Sequence, residues 1–242
     1  MEIRRFFVTS DKFINKEIII DGQEFWHLSK VLRLKKNYEV VVSLNNGFDY
    51  YGTIKEIYKQ HAVVEVKKIV EAESETQAKL VLFQALPKKE HLEIILQKAV
   101  ELGVDKICIF KSQFSQNYEI NQERLNTIAK EASKQSGRNK LIEIQYFDEV
   151  SLMKDEVKQL DRILVFYENE KTKNLKSISK LQVNKSLGIF IGSEGGFSEE
   201  EIKYFEERYQ AEMLTLGKRI LRCETAAIVA ITLLLYELGE LG

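Results

Sequence analysis

The sequence predicts an α/β chain in which a small N-terminal β-barrel precedes a larger domain built on a mostly parallel sheet. Three observations carry this reading. Through the first 70 residues, short β-branched runs recur between turn signals, as in small barrels. From Lys79 onward, apolar strands alternate with amphipathic helices, the pattern of a parallel sheet covered on both faces. Between the two, residues 71–77 are acidic, polar and without period, as expected of a linker.

In the first part, strands are predicted at 16–20, 38–44, 49–57 and 61–70. The first ends at the turn signal Asp21-Gly22. The second carries Val40-Val41-Val42 and runs into Asn45-Asn46-Gly47, with the third at hairpin distance beyond it. Val64 and Val66 alternate along the fourth, and residues 23–34 read as a helix. In the second part, strands are expected at 79–85, 106–110, 162–167 and 187–191. Helices are expected at 91–101, 121–135, 198–209 and 224–238. Leu92, Ile95, Leu96 and Ala99 share one face of the first of these helices, which Gly103 stops.

Composition narrows the function classes. The 242 residues hold 36 Lys+Arg against 37 Asp+Glu, with 44% hydrophobic and 30% charged residues. A disordered tail, a disulfide mini-protein and a globally basic nucleic-acid binder are thereby excluded, while a local basic patch is not. Cys108 and Cys223 stand far apart and in no metal-ligand spacing, which points to a reducing, cytoplasmic setting. The opening Met1-Glu2-Ile3-Arg4-Arg5-Phe6-Phe7 lacks the apolar core of a signal peptide, and the apolar run 226–236 is too short to span a bilayer. The single proline, Pro87, where average usage gives roughly twelve, reads as compositional drift.

Four segments carry chemical potential. Residues 187–198 run from a buried strand through Gly192-Ser193-Glu194-Gly195-Gly196 into a helix that Ser198 caps, with Glu201 completing a capping box. Glycine there admits a sharp turn or lets a ligand approach the backbone N–H groups, and on the glycines alone both readings stand. The loop is neither a P-loop nor G-x-G-x-x-G, which disfavours phosphate chemistry. Residues 214–227 place Gly217, Lys218, Arg219 and Arg222 ahead of an apolar helix that starts at Cys223 and Glu224. The arginines suit a phosphate or carboxylate. Equally, Glu224 suits a helix dipole, and Cys223 reads first as a small buried hydrophobe. Gln135-Ser136-Gly137-Arg138 by itself is an ordinary helix C-cap, on a helix that carries Lys130 and Lys134. His27, Lys30, Arg33, Lys35 and Lys36 form a basic run without an acid, with His27, Lys30 and Arg33 at i, i+3 spacing. Such a run is usually a solvated face, and on a small barrel it suits RNA phosphates. The three histidines, without H-E-x-x-H or C-x-x-C, argue against a metal site, and the absence of G-x-S-x-G argues against a serine hydrolase.

Taken in order, these motifs resemble the RsmE family of ribosomal RNA uridine methyltransferases, within the SPOUT class of knotted methyltransferases. The resemblance spans nearly the whole chain. It runs through His27 with Val31-Leu32-Arg33, then Lys98-Ala99-Val100-Glu101-Leu102-Gly103-Val104 and Gln135-Ser136-Gly137-Arg138. It continues through Gly192-Ser193-Glu194-Gly195-Gly196 and Leu216-Gly217-x-Arg219-x-Leu221-Arg222-x-Glu224-Thr225. Three departures stand out: Ser193 where the family usually has proline, Cys223 where it usually has threonine, and Ile109-Phe110 where a proline is common.

The resemblance implies a PUA-like β-barrel over residues 1–72 that binds RNA. It implies a SPOUT methyltransferase domain with a deep C-terminal trefoil knot over 78–242. It also implies a homodimer and S-adenosylmethionine as cofactor, held by Phe166, Tyr167, Glu168, Ile191, Gly192, Glu194, Gly195, Gly196, Leu216, Gly217, Ile220 and Leu221. The expected reaction methylates N3 of a uridine in 16S rRNA of the small ribosomal subunit. Arg138 and Arg222 would stabilise the uridine anion or grip its phosphate, and Glu194 or Glu224 would take the proton. His27, Lys30, Arg33 and Arg138 would hold the RNA. The competing readings are a SPOUT enzyme acting on another RNA, a non-catalytic RNA-binding assembly factor, and an unrelated nucleotide-binding enzyme that uses the glycine loop.

Overall fold

A computed structural model of the chain describes residues 3–178, 180–182 and 185–241. Met1 and Glu2, with which the segment read as lacking a signal peptide opens, lie outside the described residues. The chain divides into two compact units, one of Met1–Glu75 with Ser133–Leu141 and one of Thr76–Ala132 with Ile142–Gly242.

The first unit is built on β1 (Arg4–Phe7), β2 (Phe13–Ile14), β3 (Glu17–Asp21), β4 (Glu39–Ser43), β5 (Phe48–Ile57) and β6 (His61–Glu71). They form one six-stranded sheet in the order β1-β4-β5-β6-β3-β2. All neighbours are antiparallel except β1 and β4. The alternation read along the fourth strand appears in the burial of Ala62 and Val64, whereas the β-branched run Val40–Val42 is buried throughout. Ile18, Ile20, Val40, Val42, Ile54 and Val64 close a core with Phe6 and Leu28. The short strands β1 and β2 were not predicted, because neither is long enough to display a period.

The helix expected at 23–34 is shorter and changes pitch. α1 (Gly22–Trp26) continues as a single π-helical turn, His27–Val31. The Leu32 N–H reaches the His27 carbonyl at 2.9 Å, and Arg33 turns left-handed with φ of 51°. Arg33 therefore lies outside the helix, and the regular i, i+3 stripe of His27, Lys30 and Arg33 does not form as predicted.

Of the linker expected at 71–77, Glu71 instead ends β6, and residues 72–77 form neither helix nor strand. They are not a bare tether, however. The Glu75 carboxylate accepts from Arg138 Nη2 at 2.7 Å and Nε at 3.1 Å, and from the N–H groups of Asn139 at 3.0 Å and Lys140 at 3.2 Å. This clasp, together with the Ser43 hydroxyl bonded to the Asn139 carbonyl, joins Ser133–Leu141 to the first unit.

The second unit holds β7 (Lys79–Ala85), β8 (Lys106–Phe110), β9 (Glu143–Phe147), β10 (Arg162–Phe166), β11 (Ser186–Ile191) and β12 (Glu212–Leu214). Every pairing in the order β12-β10-β11-β7-β8-β9 is parallel. Its helices are α2 (Lys89–Glu101), α3 (Gln122–Ser136), α4 (Lys154–Val157), α5 (Glu199–Tyr209) and α6 (Cys223–Leu238), the last turn of α3 grouping with the first unit.

Alternate residues of β7 face opposite layers, as the pleat requires. Leu80 and Leu82 join Leu92, Ile95 and Leu96 of α2 and Ala227, Ile231 and Leu234 of α6. Val81 and Phe83 join Phe190, with Phe205 and Tyr209 of α5. Phe83 and Phe190 stack at 4.3 Å. Both faces of the sheet are thus covered, as the near-continuous apolar strands predicted. From β7 the chain proceeds to β8 and β9 on one side, while β10, β11 and β12 lie on the other. The strand order therefore reverses beside β7, which is where open α/β sheets place ligands, at the strands' C-terminal ends. Among the described residues no helix is long and apolar enough to cross a membrane.

Candidate active site

A cavity of about 660 Å³ opens in the second unit at that position. The segments after β10, β11 and β12 line it together with the starts of α2 and α6. Phe166, Tyr167, Glu168, Ile191, Gly192, Glu194, Gly195, Gly196, Leu216, Gly217, Ile220 and Leu221 all line this one cavity. So do Arg222 and Glu224, with Lys88, His91, Lys171, Ser193 and Cys223. Segments far apart in sequence converge because β10 and β7 flank β11 in register, Phe166 beside Ile191 and Ile191 beside Gln84.

The loop after β11 is a tight bridge between Ser193 and Gly196, closed by the Gly196 N–H to the Ser193 carbonyl at 3.0 Å. Its glycines are sterically required. A Cβ on Gly192 would stand 2.9 Å from the Gly196 backbone, and one on Gly196, where φ is +68°, would strike the Glu168 carboxylate. The Gln84 amide, fully buried in β7, donates to the Gly192 carbonyl at 3.1 Å. Ser193, which stands in place of the usual proline, donates its hydroxyl to the Phe114 carbonyl at 2.8 Å and so ties the loop by another means. Beyond it, Ser198 and Glu201 form the predicted capping box at the start of α5.

A polar cluster occupies one wall of the cavity. Glu194 Oε1 accepts from the Lys88 N–H at 2.9 Å and lies 2.6 Å from His91 Nδ1. Burial raises the Glu194 pKa, but the Lys88 and His91 hydrogen bonds outweigh it and hold the carboxyl below its ordinary value. Cys223 Sγ donates to Glu224 Oε2 at 3.3 Å and lies 4.0 Å from His91 Nδ1. Burial, reinforced by the bond to Glu224 and by the charge of Glu194, pushes the Cys223 thiol up to about 12, so it is neutral. Arg222 is the N-cap of α6 and is exposed at the cavity. Sequence reasoning missed His91 and Lys88. No motif marks them, and they reach the site only because α2 follows the strand that pairs with β11.

The remaining predicted residues lie in the first unit. Lys30 and Arg33 are exposed. His27 is half-buried, with Nδ1 3.4 Å from Lys134 Nζ, and Lys134 pairs with the buried Glu24 at 3.1 Å. Arg138 is only 2% exposed and its guanidinium is held by Glu75, so in this structure it is a structural ion pair.

The chain is similar to known proteins in both sequence and fold. Residues 74–235 match the RNA methyltransferase domain family, and residues 20–67 match the RNA methyltransferase PUA domain family. The ribosomal RNA small subunit methyltransferase E of Mesomycoplasma hyopneumoniae is 30% identical over 208 residues, covering 84% of this chain and 87% of that one. Its Bacillus subtilis counterpart is 28% identical over 229 residues, covering 90% and 89% respectively. Among solved structures, a Legionella pneumophila protein in complex with its bound cofactor SAM superposes with a TM-score of 0.87 at 25% identity, covering 98% of both chains.

Proposed function

The chain belongs to the ribosomal RNA small subunit methyltransferase E family, and from that premise we propose that it methylates N3 of a single uridine in 16S rRNA, with S-adenosylmethionine as methyl donor. The observation that carries the reading is the convergence of the Gly192–Gly196 loop and the Leu216–Leu221 segment on one cavity. Its volume, about 660 Å³, falls in the range of small-molecule sites.

The residues present fit the cofactor. Phe166, Ile191, Leu216 and Ile220 offer an apolar seat for a purine. Glu168, Glu194 and Glu224 supply carboxylates suited to a sulfonium and an ammonium, while Lys88 and Lys171 suit a carboxylate. The bound cofactor supplies an activated methyl group, so the protein's task is to orient, to exclude water and to move one proton.

Uridine N3 carries a hydrogen and attacks well only once that proton leaves. Of Glu194 and Glu224, the acceptor we assign is Glu194, fixed by the Lys88 N–H, because the Glu224 carboxylate is already taken by the Cys223 thiol. Arg222, exposed at the cavity, stabilises the uridine anion as it forms. With the cofactor bound, its methyl group would pass to N3 and the N3 proton would remain on Glu194.

We further assign RNA binding to a PUA-like barrel over residues 1–72, through Lys30 and Arg33 on the RNA backbone with His27 beside them. The transferase domain we take as 78–242, with a C-terminal trefoil knot, acting as a homodimer. Arg138, expected at the uridine or the RNA, is instead buried against Glu75, and we assign it to shaping the segment around it.

The test uses small subunits from a strain lacking this protein, incubated with the enzyme and methyl-labelled S-adenosylmethionine, and the RNA digested to nucleosides. Label in 3-methyluridine supports the reading. Label in any other nucleoside, or none, overturns it.

A further inference from the structure

His91 and Cys223 are 132 residues apart, yet with Glu224 they bring three different metal-ligating groups to one wall of the cavity. Cys223 Sγ stands 4.0 Å from His91 Nδ1 and 3.3 Å from Glu224 Oε2, and His91 Nδ1 stands 3.9 Å from Glu224 Oε2. Tetrahedral zinc, with bonds of about 2.0–2.3 Å to nitrogen, oxygen and sulfur, spaces its ligand atoms roughly 3.3–3.7 Å apart. The triangle therefore needs adjustments of only a few tenths of an ångström.

We propose that His91, Cys223 and Glu224 form a binding site for zinc, with a solvent molecule in the fourth position. The donor set selects the metal. Thiolate and imidazole suit zinc, whereas magnesium and calcium demand mostly oxygen. Glu194 Oε1 lies 2.6 Å from His91 Nδ1, and this hydrogen bond yields to the metal as the ring proton moves to Nε2. Binding breaks the S–H bond, forms the sulfur–metal bond and releases one proton to solvent. Cys223 supplies the decisive ligand, and it stands where the family usually has threonine. The site is thus a property of this chain's own residues and does not rest on the methyl-transfer reading.

Cobalt(II), a spectroscopic stand-in for zinc, tests this on the purified full chain without any activity assay. The expected result is one equivalent bound, with the visible bands of a tetrahedral site and a near-ultraviolet thiolate-to-cobalt band, both abolished by added zinc. Cys223→Ser removes the thiolate band, while Cys108→Ser, at a buried cysteine outside the cavity, retains it. His91→Gln and Glu224→Gln weaken zinc binding at least about tenfold in competition with a chelating dye. Cys223→Thr substitutes if the serine variant fails to fold, as judged by circular dichroism. Absence of a thiolate band in the wild type, or its persistence without Cys223, overturns the proposal.

Discussion

His91 Nδ1 lies 2.6 Å from Glu194 Oε1, so the first turn of α2 is tied to the glycine loop after β11. The tie follows from strand order. β7 and β11 pair in register, so the helix leaving one and the loop leaving the other emerge side by side. The same carboxylate also accepts the Lys88 N–H, and it faces the cavity through which we assign the chemistry.

That pairing has a pH signature. Glu194 is held below its ordinary value of 4.5 in the folded chain, so its stabilising contribution is complete above that value. It is lost as pH falls through the lower folded value. Glu194→Gln should therefore be less stable than wild type at neutral pH, with the gap narrowing below pH ~4. Urea unfolding at a series of pH values reads this. A gap that does not change with pH would show that the carboxylate's charge contributes nothing.

Arg222→Ala should lower kcat about 100-fold, the scale of losing one transition-state stabiliser, while calorimetry finds cofactor affinity nearly intact. Equal losses in both would assign Arg222 to the cofactor instead.

Gly196→Ala places a side chain at φ of +68° against the Glu168 carboxylate. The conformational strain alone should cost about 1–2 kcal/mol in urea unfolding, and the displaced loop should weaken cofactor binding. Gly217→Ala isolates the strain, since φ there is +115° but no atom lies within 4 Å of the added carbon.

Arg138→Ala breaks an ion pair whose side chains are 3% and 12% exposed. It should destabilise the chain by about 3–5 kcal/mol, the usual consequence of stranding a buried carboxylate. Near-wild-type stability with lost methyl transfer would instead make Arg138 a residue of the reaction.

Reversing the charges of Lys30 and Arg33 should weaken RNA binding and flatten its salt dependence, by a slope of about 0.7–0.9 for each phosphate no longer neutralised. Filter binding across a salt series measures this. An unchanged slope would remove both residues from the interface.

The sequence displayed whatever depends on neighbours along the chain. The strands at Lys79–Ala85 and Lys106–Phe110 were legible because continuous apolar runs require burial on both faces. The capping box of Ser198 and Glu201 was legible because its bonds span three residues. The strands β9 and β12 were missed, one half-buried along most of its length and the other only three residues long. The left-handed turn at Arg33, which breaks the basic stripe, has no local signal in a non-glycine residue. The clasp of Arg138 on Glu75 and the meeting of His91 with Cys223 depend on approaches across 63 and 132 residues. No local period or short motif could announce either.

The reaction we propose, methylation of one uridine of small-subunit rRNA at N3, leaves a mark that a polymerase can read. Reverse transcription along the RNA of small subunits from a strain lacking the protein, treated with enzyme and S-adenosylmethionine, tests it most directly. A methyl on N3 removes the Watson–Crick donor, so a new stop is expected one base short of a single uridine, absent when the cofactor is withheld. Unchanged read-through, with the cofactor demonstrably bound, would contradict it.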